Sequence, residues 1–533
     1  MVVAGKMHVS GPVYSQGAVH VYASVDTGKI DIDNTSGAGL ITDEIILYSN
    51  DTIDGLLRNL NETGVQGITT PNNPAKVTIR KNFAEKKWTY ISFPYDVAPA
   101  NIIKDAAQLP GGGPDGGSYW AYGWDNVIRA DSADPANPKI WKQIDYTANT
   151  AFKAGAGYQI WYENAGVGGT VDFVSIDGPA IDTLFSPANK TVKFDKYKTN
   201  LGWNNPTLGA GWALIGARNS TTFTISNTTV AYGGPAVYYR KSKTSQADGE
   251  LTDDDSFGDF VLGGSDPEVN LSPYTPFYIQ DATGIEKGQT VVGNFTFYSD
   301  KGLSIESSQF RSSKVDPADQ FKFILSSDKD DSFDRFYLDF DESFSEDYLT
   351  SKDALKLSTR FAGSPTVWSL QNGQPLVLSG LPLKDEREVK IGFSVPEAGD
   401  YTFAVNERVR QNVRNLILVD NVVGKKVDLL QTPYFFTSAE VSRNTERFVL
   451  LVNSSYTDIP AIEGNAVYAY VKNNLLTVKN LSEGDRVQVL DLAGRTIVSG
   501  KASGKEFSVA LSQKGVYVVN VGGKASVLKV LNK

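Results

Sequence analysis

Short alternations of apolar and polar positions, cut by turn residues, run the length of the chain. A period of two puts successive side chains on opposite faces and predicts strands. Near the N-terminus the pieces are Met7-His-Val-Ser10, Val13-Tyr-Ser15, Ala18-Val-His-Val-Tyr22, Lys29-Ile-Asp-Ile-Asp33, Ile45-Ile-Leu-Tyr48 and Ala75-Lys-Val-Thr-Ile79. This rhythm predicts the edge of a short β-solenoid, or part of a sandwich, over 1–80. Ile53 to Leu60 is read as one or two helical turns. His20 falls in an alternation beside Val19 and Val21, on the solvent side.

A second region, 81–185, opens with Lys87-Trp-Thr-Tyr-Ile-Ser-Phe-Pro-Tyr95. As a strand it puts Trp88, Tyr90 and Ser92 on one face and Thr89, Ile91 and Phe93 on the other. The glycine run 111–117, Ser118-Tyr-Trp-Ala-Tyr-Gly-Trp124, Trp141-Lys-Gln-Ile144, Phe152 to Tyr162 and Gly169-Thr-Val-Asp-Phe173 follow. A weaker copy occupies 186–300. Gly211-Trp-Ala-Leu-Ile-Gly216, Pro235 to Arg240, Leu271 to Ile279 and Gly293-Asn-Phe-Thr-Phe-Tyr298 repeat the first set in order. Two related sandwich units, or two halves of one larger sandwich, are expected.

Region 301–455 carries strand-like pieces from Phe321-Lys-Phe-Ile-Leu325 to Arg447-Phe-Val-Leu-Leu451 and predicts an antiparallel sandwich with meander connections. Val452 to Pro460 reads as a polar linker. The last stretch, 462–533, holds about seven alternations near ten residues apart, the sign of a small Ig-like sandwich. In Gly515-Val-Tyr-Val-Val-Asn-Val521 both faces are largely apolar, which predicts a central strand covered on both sides.

This last stretch resembles the type A C-terminal sorting domain of the Bacteroidetes type IX secretion system. The residues that carry the resemblance are Val487-Gln-Val-Leu-Asp-Leu-Ala-Gly-Arg495, Gly515 to Val521 and Lys529-Val-Leu-Asn-Lys533. Asp491, Gly494, Arg495, Gly515, Tyr517 and Lys529 are the motif positions. The resemblance implies export by the type IX machinery, cleavage near the upstream linker and a cell-surface or secreted destination. Region 301–455 resembles the module that often precedes such a domain, through Asp353-Ala-Leu-Lys356, Gly399-Asp-Tyr-Thr-Phe403, Leu418-Val-Asp420, Asp428-Leu429 and Arg447-Phe448; its role is read as structural. The aromatic course from Trp88 to Trp161 looks like segments common in surface proteins with this domain. Asp51-Thr52-Ile53, Asp131-Ser132-Ala133 and Asp182-Thr183-Leu184 resemble the O-glycosylation acceptor of such proteins, at Thr52, Ser132 and Thr183.

Composition narrows the function. Over 533 residues, 25 Tyr, 26 Phe, 49 Gly and 23 Pro favour strands and turns and make an all-β, multidomain chain the expectation. The net charge of −10 supplies no basic field for nucleic acid. With no cysteine and only His8 and His20, thiolate chemistry is excluded and His-based triads or zinc sites are confined to the N-terminus. No apolar run is long enough for a transmembrane helix. Met1-Val-Val-Ala-Gly-Lys6 has no apolar leader core, so the expectation is that a signal peptide has been removed ahead of it.

Two clusters are candidates for binding. Tyr119, Trp120, Tyr122, Trp124, Trp141 and Trp161 form an aromatic set that either fills a core, the reading packing favours, or stacks on sugar rings, with Asp125, Asn126 and Glu163 taking hydroxyls. Asp328, Asp330, Asp331 and Asp334, and the run Asp253 to Asp255, are acidic loops read first as solvated turns; Ca²⁺ binding is the alternative, although they lack the glycine and closing glutamate of a helix–loop–helix site. No cofactor is otherwise expected. No catalytic motif stands out, and the chain is read as a non-catalytic adhesive or structural stalk. A carbohydrate-binding surface protein is the alternative, and a carboxylate-dependent polysaccharide hydrolase is a third reading.

Overall fold

The computed structural model describes residues 1–4, 6–9, 13–22, 29–32, 40–49, 56–59, 76–84, 86–112, 118–127, 141–149, 152–166, 169–176, 191–198, 210–218, 223–225, 230–231, 233–240, 257–262, 269–271, 274–297, 319–330, 332–357, 364–454, 468–472, 474–479, 481–491, 495–513, 515–522 and 526–532. The architecture is all-β, with several antiparallel sheets. The chain divides into two compact units: Met1–Lys425 with Leu429–Ser454, and Ser455–Lys533 with Lys426–Asp428.

The larger unit begins as a short parallel solenoid. Val2–Val3, Val13–Val21, Leu40–Ser49 and Lys76–Asn82 stack in one sheet, and Lys6–Val9, Lys29–Ile32 and Leu56–Asn59 stack in another. The chain alternates between the two sheets, so like residues fall above like. Val19, Ile45 and Val77 form one buried column, and Val21, Leu47 and Ile79 the next. Leu56–Asn59 is a strand and not the expected helical turn. Its ladder with Lys29–Ile32 supplies the backbone partners that an isolated turn would lack. Residues 51–55 lie outside the described set.

The solenoid passes into the next module without a break. Lys76–Asn82 pairs in parallel with Leu40–Ser49 on one side and antiparallel with Thr170–Val174 on the other. Regions 1–80 and 81–185 therefore share one sheet and one core. Tyr95 fastens the seam: its hydroxyl accepts from the Ile79 N–H and donates to the Phe173 carbonyl, both at 2.9 Å.

The repeat seen in the sequence is a repeat of topology. In the first copy the sheet runs Trp141–Gln143, Tyr119–Trp124, Gly157–Tyr162, Thr89–Ser92. In the second it runs Phe257–Val261, Ala236–Arg240, Phe277–Gln280, Trp212–Ile215. Ile91 faces Tyr158 as Ile215 faces Phe277. Ala121 opposes Ile160 as Val237 opposes Ile279, which sets the register of the Pro235–Arg240 piece. The copies interlock at glycines. A Cβ on Gly157 would lie 2.3 Å from Leu214 Cγ, and one on Gly216 would lie 2.2 Å from Ser92 Oγ.

The third module is a long sheet folded over itself. Its path runs from Leu416–Asp420 through Ser442–Val452, Arg387–Val395, Thr366–Gln371, Gln374–Leu381, Phe333–Phe340, Asp319–Ser327 and Gly399–Val409 to Tyr434–Ser438. Distant strands meet across its core, with Phe403 6.0 Å from Phe448 and Phe393 5.6 Å from Phe436. The expected antiparallel meander needs two corrections: Phe333–Phe340 and Gln374–Leu381 are parallel, and many neighbours, such as Arg387–Val395 with Ser442–Val452 and Asp319–Ser327 with Gly399–Val409, are not consecutive in the chain.

The described residues of the smaller unit form a sandwich of seven strands. Tyr468–Lys472, Leu475–Lys479 and Glu506–Ala510 face a sheet of Thr496–Lys501, Arg486–Asp491, Gly515–Gly522 and Ser526–Asn532. Leu476, Val478, Val487, Val489, Tyr517, Val519 and Val521 share its core. The expected burial of both faces of Gly515–Gly522 is not found within this unit. Tyr517, Val519 and Val521 are buried, whereas Val518 and Asn520 are half-buried. A two-layer sandwich offers a strand only one inner face.

Gly157→Val forces a side chain into Leu214 and Pro276, so it should destabilise the larger unit by at least about 1–3 kcal/mol, read as a lower urea midpoint. Asp353 is 1% exposed and accepts from the Leu349 and Gly380 N–H groups. Burial pushes its carboxyl up to about 7. A folded pKa above the unfolded value of about 3.9 means the native state holds more protons between the two. The contribution of this group is full below about pH 4 and declines as pH rises to about 7. Asp353→Asn should flatten that decline in melts taken across this range.

Candidate functional site

Alternation along Tyr119–Trp124 sends Tyr119 and Ala121 into the core and Trp120, Tyr122 and Trp124 to the opposite face. The neighbouring strands set the rows. Trp120 lies opposite Trp161; Tyr122 lies between Gln143 and Gln159, with Tyr90 beyond; Trp124 lies opposite Trp141. Trp88, just ahead of Thr89–Ser92, extends the first row, its ring 5.9 Å from Trp161 and 5.3 Å from Tyr122.

This aromatic face has two fates. At one end the second repeat covers it. Tyr278 packs 5.0 Å from Trp124 and 6.1 Å from Tyr90, its hydroxyl donates to that of Tyr90 at 2.8 Å, and Trp124 Nε1 donates to the Trp212 carbonyl. Trp141 packs edge-on against both Trp124 and Tyr90. At the other end Trp88, Trp120, Tyr122 and Trp161 are half-buried, as Tyr90, Trp124 and Trp141 are, but they are not among the rings packed on the cluster shared with the second repeat.

The six aromatics picked from the sequence therefore do not act as one platform. Tyr119 is core, Trp124 and Trp141 are seam, and Trp120, Tyr122 and Trp161 remain with Trp88. Alternation alone places Trp88 on this face, but not beside Tyr122 and Trp161, because those partners come from strands distant in sequence.

Polar groups border the half-exposed row. Glu163 accepts from Lys86 at 2.6 Å and from Trp161 Nε1 at 3.1 Å, and these bonds hold its carboxyl below the ordinary range. Gln159 is 1% exposed, and its Oε1 meets no donor among the described residues. Asn126 turns away to the Asp195 carbonyl, and Asp125 binds the Val127 N–H.

The acidic candidates do not converge. Asp328 accepts from Thr402 and Asp330 from Ser332. Asp334 faces inward, where Lys356 and the Val367 N–H occupy its oxygens. Among the described residues no group of three or more His, Cys, Asp or Glu side chains is placed to hold a metal ion. The calcium expectation is corrected at Asp334, because the start of a strand carries that carboxylate away from the hairpin loop. Asp331 and the Asp253–Asp255 run lie outside the described residues, as do Thr52, Ser132, Thr183 and Gly494.

His20 lies on the face opposite the buried Val19 and Val21, the outer side that alternation predicts. It is half-buried, stacked on Tyr22 at 6.2 Å, with Nδ1 3.1 Å from the Tyr48 hydroxyl. Burial and then Arg80 hold its pKa below the ordinary value. The side chain of His8 lies outside the described set.

In the smaller unit, Asp491 accepts from both the backbone and the side chain of Arg495 and so closes its turn. Tyr517 donates to the Gln513 carbonyl at 2.8 Å, and Gly515 sits at φ +148°. Lys529 lies in the last strand opposite Val518. Among the described residues no helix is long and apolar enough to cross a membrane.

No family model matches the chain, and no curated protein matches it. Among solved structures, a biofilm-associated protein BSP domain aligns at 8% identity over 84% of this chain and 96% of its own. The TM-score of 0.16 is too low for that likeness to carry an argument about this chain.

Proposed function

We propose that the chain is a type IX secretion cargo, displayed on or released from the cell surface, whose body is a non-catalytic adhesive or structural stalk. The observation that carries this reading is the compact C-terminal unit with its own core, in which Asp491, Arg495, Gly515 and Tyr517 each hold a defined structural position. A label that is cut away has to fold by itself, and a separate core suits that use. The larger unit supports the structural half of the reading, since its modules share sheets and cores. Deleting the residues beyond Pro460 in the native host should abolish surface display and leave the body inside the cell, as read by fractionation. Unchanged display would remove the basis of the proposal.

A second reading is favoured by the half-exposed row of Trp88, Trp161, Trp120 and Tyr122. Indole faces stack on the C–H surface of sugars, and the Glu163 carboxylate offers an acceptor at the rim. On this reading the full chain binds members of a glycan array, and Trp88→Ala with Trp161→Ala weakens binding at least tenfold with the melting profile retained. Trp124→Ala should instead lower the melting temperature, because its ring fills the seam. An array without signal would leave the stalk reading alone.

A further inference from the structure

Lys356 follows the short Ala354–Leu355 strand, and its side chain is 3% exposed. Its Nζ lies 2.8 Å from Asp334 Oδ1 and 3.0 Å from Asp259 Oδ2. The two carboxylates have different settings. Asp334 belongs to the same module as Lys356 and is pinned through Oδ2 by the Val367 N–H at 2.8 Å. Asp259 belongs to the second repeat, on Phe257–Val261, opposite Tyr238. Arg335 donates to the Asp259 carbonyl, and its own carbonyl accepts from Lys356. Tyr238, Val261, Tyr337, Ala354 and Val377 form the apolar cluster that includes these strands.

A primary amine held between two carboxyl groups in a dry pocket has the parts needed for condensation. We propose that Lys356 and Asp259 join through an intramolecular amide bond, with Asp334 as the proton relay. The Nζ lone pair forms a bond to the Asp259 carboxyl carbon, and one carbon–oxygen bond of that carboxyl breaks. Asp334 takes a proton from Nζ and returns it to the departing oxygen. The ammonium gives up two hydrogens in all, and they leave with that oxygen as one water. Charge balances, because one cation and one anion become a neutral amide, and no oxidant, nucleotide or metal enters.

Three features of the site favour this step. The reacting groups are already in contact, so the entropy of bringing them together has been spent in folding. The apolar surroundings exclude the water that would reverse the reaction. Asp334 is fixed by a backbone donor, which suits a relay, whereas Asp259 reaches in from the neighbouring module. Burial lowers the pKa of Lys356, but Asp259 and Asp334 outweigh it and the net shift is upward. The resting amine is therefore charged, and the reaction draws on a minor neutral pair. That makes it slow, which a bond formed once per molecule tolerates. The product ties the second repeat to the third module covalently and does not depend on the route of export.

The test is the intact mass of the full chain purified after expression in any host. The expected value is one water below the mass the sequence requires, with a branched peptide containing Asp259 and Lys356 after digestion. Lys356→Met and Asp334→Asn should each restore the full mass, with an unchanged circular dichroism spectrum showing that the fold persists. A wild-type mass equal to the sequence mass overturns the proposal, and so does a branch mapped to any other pair. Loss of water that persists in Asp334→Asn overturns the relay.

Discussion

A sheet with two apolar faces has to be covered twice, and that requirement organises the larger unit. The second repeat meets it fully. Val237, Phe277 and Ile279 face its own core, while Trp212, Tyr238 and Tyr278 turn outward and are closed over by Tyr337, Val377 and Leu378 of the third module. The first repeat has the same two-faced sheet, but its outer cover reaches only Tyr90, Trp124 and Trp141. The row from Trp88 to Trp120 is what this arrangement leaves half-exposed. The solenoid poses a related problem, since an open parallel edge is a template for unwanted pairing. The sandwich solves it by laying Thr170–Val174 along Lys76–Asn82.

Several of the charges buried in this unit are held by close partners. Asp319 is fully buried and accepts from the backbone N–H groups of Gln411, Asn412 and Val413. Asp420 is fully buried between Tyr434 and Arg447. Taking an ion out of water costs several kcal/mol, and a partner largely offsets that cost without turning it into a large gain. Such pairs add little net stability; here they fix where loops and strands lie. Lys356 belongs with them by geometry, and differs in touching two carboxylates, with the Arg335 guanidinium beside them, and in linking two modules. The close spacing of acids around Asp330 thus hides two environments, one solvated and one dry, a few residues apart.

Much of the architecture is legible in the sequence. Alternation located strands in every region, the ordered recurrence of four aromatic pieces announced the repeat, and the turns of 462–533 marked seven strands. All of these are local signals, set by the two-residue period of a strand and by the conformational tastes of glycine and asparagine. Asn474, at φ +61°, sits in such a turn between paired strands.

Three things were decided only in three dimensions. Leu56–Asn59 became a strand because a neighbouring coil offered it a parallel ladder. The six aromatics divided into core, seam and half-exposed row because the second repeat arrives over one end of their sheet. Asp334 left the acidic loop for the interior because a lysine and a second carboxylate from another module converge there. The sequence by itself determined which residues could be strands and which faces would be apolar, since each follows from neighbours along the chain. What covers a face, and which charge meets which, depends on segments brought together from far apart, and no local pattern encodes that.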